Sequence, residues 1–391
     1  MTVDPLDTLR SATRLDDEPE RMLPAVAYTS TEALSWEQRH LFAGSWTCLG
    51  RLSDLFPASA PGSDTKSVTQ RAIVVGDVSA LLVQDGSALR MFANTCRHRG
   101  HELLDDGESS QRRSITCPYH AWSYDLEGSL IGARGFRDDV SFEFDEHSLV
   151  ELSVRRWEGW VFGHALHPTG SELVPPFDGH IGALAGMVAP YDCGSLVLAA
   201  RHTYEVAANW KVIAENYHEC YHCPLIHPEL CQLTPPESGD NYDLPGAWVG
   251  GSMLLRGGMA TMSMTGELAA APLPGVDPER VEYLHVLPNL LVSAHPDYVM
   301  AHRLLPLAPD RTWIECSWLV APGSDGSVPD ALGAVNFWDM TNKQDWAACE
   351  SVQRGLASPH FRPGPFAPNE DAVADLVARI ERAYQSGRLE P

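Results

Sequence analysis

Cys96-Arg-His98, followed after 18 residues by Cys117-Pro-Tyr-His120, is the stretch that decides the fold of this 391-residue chain. Each half supplies one thiolate and one imidazole from a short turn, so two facing turns can enclose a metal centre. A structural zinc ion would take all four ligands. A two-iron, two-sulfide cluster of mixed ligation would bind both cysteines to one iron and both histidines to the other. The spacing alone is compatible with both centres. His101 falls outside both spacings and is expected to form loop hydrogen bonds.

A second group of metal-binding residue types lies in the segment Asn209–His227. Its composition predicts a helix that Pro224 ends, with Glu219 and His222 on one face because they are three residues apart. Beyond Pro224 the chain can turn back and bring His227 towards His222. Two imidazoles and one carboxylate on one side of an iron leave positions open for dioxygen. The segment therefore predicts a mononuclear iron site.

The same segment contains a competing motif, Cys220-x-x-Cys223, with His218 just before it. Such a pair can be a redox or zinc motif. A redox dithiol, however, normally begins a helix, where the helix dipole lowers the thiol pKa. Here the pair falls at the predicted helix end, so we interpret both cysteines as ordinary buried thiols.

The residues around both groups resemble a known family. CRHRGHELL (96–104) and CPYHAWSYDLEGSL (117–130) resemble the two cluster loops of Rieske domains, and the whole chain is similar to the alpha (oxygenase) subunits of Rieske non-haem iron oxygenases. The resemblance implies an α+β fold, with an N-terminal all-β Rieske domain and a C-terminal catalytic domain of helix-grip type with an antiparallel sheet. It favours a [2Fe–2S] cluster over zinc, with these ligands: Cys96, His98, Cys117 and His120.

The resemblance also implies roles for the second group. His222 and His227 match the two histidine ligands of the mononuclear iron(II). Asp345, in the segment NKQDWAACESVQRGL (342–356), matches the carboxylate ligand. Asp339 and Glu350 are nearby competitors for that role, because all three carboxylates lie in one predicted helix.

Two further residues receive roles from the resemblance. Asn209 matches a residue near the iron in many members of the family. Glu219 matches the bridging acid, usually aspartate, that links an iron-ligand histidine, here His222, to a Rieske histidine of the neighbouring subunit, here His120. A carboxylate in this position orients the imidazole and tunes its basicity. The bridge implies a homotrimer in which each cluster serves the iron of the next subunit.

The pattern along the chain predicts three segments. Residues 1–44 form an N-terminal segment and helix that should pack on the catalytic domain. Short apolar runs separated by Gly, Asp and Pro predict the Rieske domain over residues 45–167. Residues 168–391 form the predicted catalytic domain, with strand-like runs, a hairpin at Ala308-Pro-Asp-Arg311 and two long helices near the end.

Charge and composition exclude several classes of protein. The chain has 28 Lys and Arg against 52 Asp and Glu, a net charge of −24, which opposes binding to the phosphates of nucleic acid. The first residues have no signal-peptide pattern, and no stretch of about 18 apolar residues could span a membrane. The nine cysteines do not suggest a disulfide framework. We therefore expect a cytoplasmic protein whose thiolates are free to bind metal.

Glu219 and the strings ECYHCPLIHPEL (219–230) and ESVQRGL (350–356) resemble the choline, glycine betaine and carnitine monooxygenase branch of the family. The branch implies a monooxygenase that hydroxylates a small quaternary ammonium or N-methylated substrate, with N-demethylation where the oxidised carbon is bonded to nitrogen. It would use O2 and electrons that a separate flavin/iron–sulfur reductase takes from NAD(P)H. Hydroxylation of an aromatic ring or an apolar acid is the alternative.

A Rieske electron carrier or a zinc-stabilised binding module is the hypothesis from a different class. A Rieske electron carrier would end near residue 165 and would lack the second metal-binding group. The length of the chain and the presence of that group therefore both disfavour this hypothesis. Aromatic side chains can hold an ammonium group by cation–π attraction. The predicted catalytic domain offers five candidates for that contact: Trp248, Tyr283, Trp313, Trp318 and Trp338.

Overall fold

The computed structural model describes residues 5–11, 21–57, 68–136 and 141–390. Contacts within the chain divide it into two compact units, Glu37–Pro176 and the remainder, Met1–Trp36 with Phe177–Pro391. The functional boundaries predicted from the sequence, at residues 44/45 and 167/168, stay predictions. No helix in the described ranges is long and apolar enough to cross a membrane.

The α-helices of the described residues are numbered in chain order. They are α1 (Pro5–Ser11), α2 (Val26–Thr29), α3 (Thr31–Glu37), α4 (Leu52–Leu55), α5 (Phe177–Ile181), α6 (Leu184–Val188), α7 (Trp210–Tyr217), α8 (Cys223–Ile226), α9 (Leu230–Leu233), α10 (Leu332–Leu356) and α11 (Asp371–Ser386). A π-helical turn continues α3 over Gln38–Phe42, and short 3-10 turns cover Phe144–His147, Ala189–Tyr191 and Pro236–Ser238.

The Glu37–Pro176 unit is built from antiparallel strands. They are β1 (Thr47–Arg51), β2 (Val68–Val75), β3 (Val78–Asp85), β4 (Ala88–Ala93), β5 (Ser109–Ser110), β6 (Ile115–Thr116), β7 (Ser123–Tyr124), β8 (Leu130–Gly132), β9 (Glu151–Trp157) and β10 (Trp160–Pro168). Seven strands form a sheet in the order β1-β10-β9-β4-β3-β2-β5, and β6-β7-β8 form a second, smaller sheet. The predicted N-terminal β domain is confirmed.

Two loops of this unit carry the metal-binding cysteines and histidines. The first loop follows β4, and the second connects β6 to β7. Cys96 and Cys117 are buried in one hydrophobic cluster with Trp122. Behind the second loop, Gly128 turns the chain with a φ of +89°, and a Cβ there would lie 2.6 Å from the Phe92 ring. Only glycine therefore fits this turn without displacing the core.

The other unit, which contains most of the predicted catalytic domain, is built around one large sheet. Its strands are β11 (Val197–Val206), β12 (Asp240–Asn241), β13 (Trp248–Leu254), β14 (Arg280–Val286), β15 (Leu290–Ala294), β16 (Tyr298–Ala308) and β17 (Arg311–Val320). They form one seven-stranded sheet in the order β11-β17-β16-β15-β14-β13-β12, and all neighbours are antiparallel. β16 and β17 form the predicted hairpin. The sheet and the helices together confirm the α+β class.

Asn209 joins three parts of the catalytic unit. Its side chain accepts a hydrogen bond from the backbone N–H of Lys211 (3.0 Å), which caps the start of α7. Its amide nitrogen donates to the carbonyls of Tyr28 (3.2 Å) and Pro309 (2.7 Å). Gln353 of α10 accepts from the Asn209 backbone N–H (2.9 Å) and also donates to the Tyr28 carbonyl (3.1 Å). These bonds set α7 against α10, which carries Asp345, and so position the turns after α7 that carry Glu219, His222 and His227.

We expect Asn209→Ala to destabilise the catalytic unit. The substitution removes a helix cap and the donor to the part-buried Pro309 carbonyl, whereas the Tyr28 carbonyl keeps Gln353 as a donor. The free energy of unfolding should therefore fall by about 1–3 kcal/mol. Urea unfolding followed by tryptophan fluorescence measures this change. Gln385→Ala, which shortens an exposed amide of α11, is the control and should change stability by less than about 0.5 kcal/mol. A fully stable Asn209→Ala protein that has lost turnover would instead favour the catalytic role.

Candidate metal centres and the adjoining cavity

The two loops bring Cys96, His98, Cys117 and His120 together. Each cysteine begins a turn closed by its own backbone. The Gly100 N–H donates to the Cys96 carbonyl (3.0 Å), and the Ala121 N–H donates to the Cys117 carbonyl (3.1 Å). The imidazole rings of His98 and His120 lie 4.7 Å apart, centroid to centroid. Neither cysteine is in a disulfide, and both are buried.

The donor atoms of this group fit a bound metal centre. The Nδ1 atoms of His98 and His120 are buried and have no hydrogen-bond partner among the described residues, an arrangement that costs free energy unless a ligand uses the lone pairs. Burial raises the pKa of the Cys117 thiol, whereas a metal ion would hold the sulfur as thiolate. Two thiol sulfurs and two free imidazole nitrogens are the donors of a Rieske [2Fe–2S] cluster.

The surroundings of the loops distinguish His101 from the four candidate ligands. Its Nδ1 donates to the carbonyl of Glu102 (2.6 Å) at the exposed surface, so the predicted loop hydrogen bonding is confirmed.

Tyr124 is a residue beside the first loop that the sequence did not single out. Its hydroxyl lies 3.4 Å from the Cys96 sulfur and accepts from the Arg97 N–H (3.0 Å). It can therefore stabilise the sulfur when the sulfur is a metal ligand.

His222, His227 and Asp345 converge in the other unit. Their candidate ligand atoms all lie within 4.8 Å of one another. Nε2 of His227 is 2.7 Å from Asp345 Oδ1, Nε2 of His222 is 3.3 Å from the same oxygen, and the two nitrogens are 3.1 Å apart. Two imidazole nitrogens and one carboxylate oxygen at these separations fit a single ion of the non-haem iron type.

The two competitors of Asp345 lie elsewhere on α10. Asp339 accepts from the Tyr204 hydroxyl (2.8 Å) and binds Lys343 at 2.5 Å. Glu350 accepts from the backbone N–H of Ala207 (3.2 Å). Both carboxylates are therefore engaged away from the two histidines.

Two acceptors fix the orientation of the histidines. Nδ1 of His222 donates to Glu219, which also accepts from the His222 backbone N–H (3.1 Å). Nδ1 of His227 donates to the side-chain carbonyl of Gln344 (2.7 Å). Because each Nδ1 carries the hydrogen, each Nε2 is left with a lone pair that faces Asp345. The sequence reasoning missed Gln344, whose only signal is its position directly before Asp345.

The charges around these three residues favour a bound cation. Burial lowers the pKa of His222, but hydrogen bonds and charge from Asp345 and Glu219 outweigh it and raise the pKa to about 9. Burial raises the pKa of Asp345, and the two histidines more than reverse this effect. A cation would replace the proton that these groups share, so metal binding should release a proton.

Two expectations for this segment are wrong. The helix does not run to Pro224: α7 ends at Tyr217, and Pro224 instead lies in the first turn of the short α8. Glu219 and His222 therefore meet across a turn rather than along a helix face. The same turn brings Cys220 and Cys223 into a disulfide with their Cα atoms 4.9 Å apart, so they are not free thiols. The other seven cysteines are not in disulfides.

A cavity of about 510 Å³ opens beside the three converging residues. Tyr283 and Trp338 line it, whereas Trp248 and Trp318 are buried in the core. Tyr217 and Trp346 are further aromatic wall residues that the sequence did not single out. Glu219 lines the cavity as well. Asn209 is not among the wall residues and is buried at the start of α7.

We expect Asp345→Ala to lose mononuclear iron and turnover while the visible absorption of the cluster remains, because the substitution removes the only carboxylate that faces both histidines in the described structure. Iron per chain and the absorption spectrum are measured on the same sample. Asp339→Ala, on the same helix, is the matched control and should retain its iron. If Asp345→Ala keeps iron and activity, the third ligand is another residue.

Two sequence profiles match the chain. The Rieske [2Fe-2S] domain matches residues 46–142, and the catalytic domain of the ring hydroxylating alpha subunit matches residues 194–386. The chain is 28% identical to the glycine betaine monooxygenase oxygenase subunit of Chromohalobacter salexigens over 96% of this chain and 89% of that protein. It is 37% identical to the carnitine monooxygenase oxygenase subunit of Acinetobacter baumannii over 52% of each protein.

A solved structure has the same fold. It is a quaternary ammonium Rieske monooxygenase, studied for carnitine oxidation by gut microbiota and for inter-subunit electron transfer. The TM-score is 0.73 at 24% identity, over 95% of this chain and 97% of that one.

Proposed function

Because the chain belongs to the alpha subunits of Rieske oxygenases, we propose that it is the oxygenase component of a monooxygenase acting on a small quaternary ammonium or N-methylated compound. The observation that carries the proposal is the convergence of His222, His227 and Asp345 beside a cavity with aromatic walls. Relatives named glycine betaine and carnitine monooxygenase oxygenase subunits support this substrate class.

The two sets of donor residues support a proposed role for each of the three predicted segments. Residues 45–167 carry the cluster on Cys96, His98, Cys117 and His120, and residues 168–391 carry the mononuclear iron. Residues 1–44 pack on the catalytic domain, which the bond from the Tyr28 hydroxyl to Glu215 (2.7 Å) supports. When bound, the iron supplies activation of O2 and the cluster supplies single electrons.

The chain's own residues bind and orient the substrate. Trp338 donates its Nε1–H to the Tyr298 hydroxyl (2.7 Å), and the Tyr217 hydroxyl bonds Ser293 (3.0 Å). With these polar ends engaged, the rings remain as apolar wall for a trimethylammonium group, which aromatic faces attract. His222, His227 and Asp345 would hold the iron, and the cavity that would receive the substrate opens beside them.

The overall reaction converts a C–H bond to C–OH. One O2, two electrons and two protons yield the hydroxylated product and one water. Where the carbon is bonded to nitrogen, the product separates into an amine and an aldehyde. The electrons come from NAD(P)H through a separate flavin/iron–sulfur reductase, which the name "oxygenase subunit" of the relatives supports. A cytoplasmic location would supply both NAD(P)H and a reducing environment for the thiolate ligands.

Aromatic-ring or apolar-acid hydroxylation is the second candidate, favoured by the apolar aromatic wall. Oxygen uptake coupled to product formation tests both, with trimethylammonium compounds and aromatic acids supplied in parallel. Turnover of the aromatic acids alone would reject the quaternary ammonium proposal.

Glu219 is proposed to link the iron of one subunit to the cluster of the next in a homotrimer. Glu219→Gln keeps the size of the side chain but loses its charge, which weakens its hold on His222. Iron should remain bound and the cluster should still be reduced, whereas turnover should fall by about 10- to 100-fold. Glu229→Gln, an exposed glutamate nearby, is the control and should keep full turnover.

Mixed oligomers test the route between subunits. A Cys117→Ser chain has no working cluster, and a His222→Ala chain has no working iron. Co-assembled, they should recover part of the activity, because some interfaces join a working cluster to a working iron. Mixed oligomers as inactive as either parent would refute electron transfer between subunits.

A further inference from the structure

The Cys220–Cys223 disulfide encloses one of the candidate iron ligands. His222 lies inside the four-residue loop that the bond closes, and Glu219 directly precedes this loop. The Cys223 N–H also donates to the Cys220 carbonyl (3.2 Å), so the loop is closed by a hydrogen bond as well as by the covalent bond. A covalent cross-link removes conformational freedom from the residues that it encloses. The disulfide therefore restrains the turn that presents His222.

Hydrogen bonds link the ends of this loop to both histidines of the mononuclear site. Before the loop, Glu219 accepts from Nδ1 and from the backbone N–H of His222. At its end, the Cys223 carbonyl accepts from the His227 backbone N–H (2.8 Å). Opening the disulfide would give the turn more freedom and would loosen the contact by which Glu219 orients the His222 ring. The state of the two sulfurs and the geometry of the metal site are therefore coupled.

The cysteine pair lies where small molecules can reach it. Both cysteines line the cavity beside the three converging residues. Cys220, which is half-buried, also lines a second cavity of about 540 Å³ together with the exposed Tyr221. Cys223 is only 3% exposed. Cys220 is therefore the more accessible partner, and an attacking thiolate or peroxide would react at its sulfur.

Two-electron chemistry interconverts the disulfide and the dithiol. A dithiol reductant attacks one sulfur as a thiolate, and its second thiolate completes the exchange, so that two protein thiols form and the reductant becomes a disulfide. In the opposite direction, hydrogen peroxide oxidises one thiolate to a sulfenic acid, which condenses with the second thiol. The sum is two thiols and one peroxide giving one disulfide and two waters. Reduction of O2 by two electrons and two protons without hydroxylation of a substrate would supply that peroxide beside the pair.

We propose that Cys220 and Cys223 form a reversible redox site that sets how firmly the adjoining residues hold iron. The disulfide keeps Glu219 against His222 and slows the loss of the ion, whereas the dithiol lets the ion exchange. Hydrogen peroxide is the oxidant of this site and a dithiol is its reductant. The proposal goes beyond the oxygenation reaction, but it rests on the proposed function because it takes the three converging residues as the iron ligands.

Iron release from the two redox forms of the full-length, cluster-loaded protein tests the proposal. The protein is equilibrated without oxygen in mixtures of reduced and oxidised dithiothreitol, desalted and loaded with iron(II) at the mononuclear site. Differential alkylation and mass spectrometry measure the fraction that carries the Cys220–Cys223 disulfide. Release of iron to ferrozine should be about tenfold faster from the dithiol form, the scale of losing a partner that orients a metal-bound histidine. The visible absorption of the cluster should be the same in both forms.

Cysteine variants separate the disulfide from its surroundings. Cys220→Ser combined with Cys223→Ser should release iron as fast as the reduced protein, and the rate should no longer depend on the dithiol. Cys231→Ser is the matched control, because Cys231 lines the second cavity with Cys220 but is not in a disulfide. Its iron release should respond to the dithiol as that of the unmodified protein does. The comparison of the two redox forms of the unmodified protein gives the answer even if the double variant does not fold.

One equivalent of hydrogen peroxide, added to the reduced protein before iron(II) is loaded, tests the oxidant. The expected product is the Cys220–Cys223 disulfide, with Cys231 left as a thiol. Mass spectrometry of the alkylated peptides measures both. Peroxide that oxidises Cys231 and leaves the pair as thiols would overturn the proposal.

The remaining outcomes distinguish the redox site from the proposed function. Equal rates of iron release from the disulfide and dithiol forms would overturn the redox proposal while the proposed function stands. A disulfide that dithiothreitol does not reduce in the folded protein would overturn it as well. A mononuclear site that holds no iron in either form would overturn the proposed function and the redox proposal with it.

Discussion

The geometry of the mononuclear metal site depends on the fixed orientation of two imidazole rings. His222 and His227 each donate Nδ1–H to an acceptor in the chain, Glu219 and Gln344, so both Nε2 atoms face the Asp345 carboxylate. Without those two acceptors either ring could turn or change tautomer, and the three donors would no longer point at one position. Asp345 and Glu219 together raise the pKa of His222, and an environment that favours a proton there also favours a cation.

The rest of the unit keeps these few atoms in place. Glu219 and the histidines lie in the turns that follow α7, whereas Gln344 and Asp345 lie on α10. Asn209, which caps α7, donates its backbone N–H to Gln353 of α10 in a buried hydrogen bond that links the two helices. The large antiparallel sheet supplies the opposite wall, including Tyr283 on β14 and His302 on β16. A rigid scaffold of this kind holds the donor atoms close to the geometry that an ion requires.

The sequence predicts best what is encoded locally. Spacing within two short loops singles out Cys96, His98, Cys117 and His120 as metal ligands, and the resemblance to the family singles out Asp345 among the three carboxylates of one helix. The end of α7 at Tyr217 was not predictable, because the segment beyond it keeps helical composition while its conformation is set by packing and by the Cys220–Cys223 disulfide. Gln344 carries no local signal either. Its role appears only when α10 is brought beside the histidines, and that placement depends on contacts distant in sequence.

Metal analysis of the purified protein is the measurement that tests the central claim most directly. Two donor sets, one for a two-iron cluster and one for a single iron, predict about three irons per chain and the visible absorption of a Rieske centre. Stoichiometric zinc in a colourless protein would contradict the account, because the Cys₂His₂ group would then be a structural zinc site.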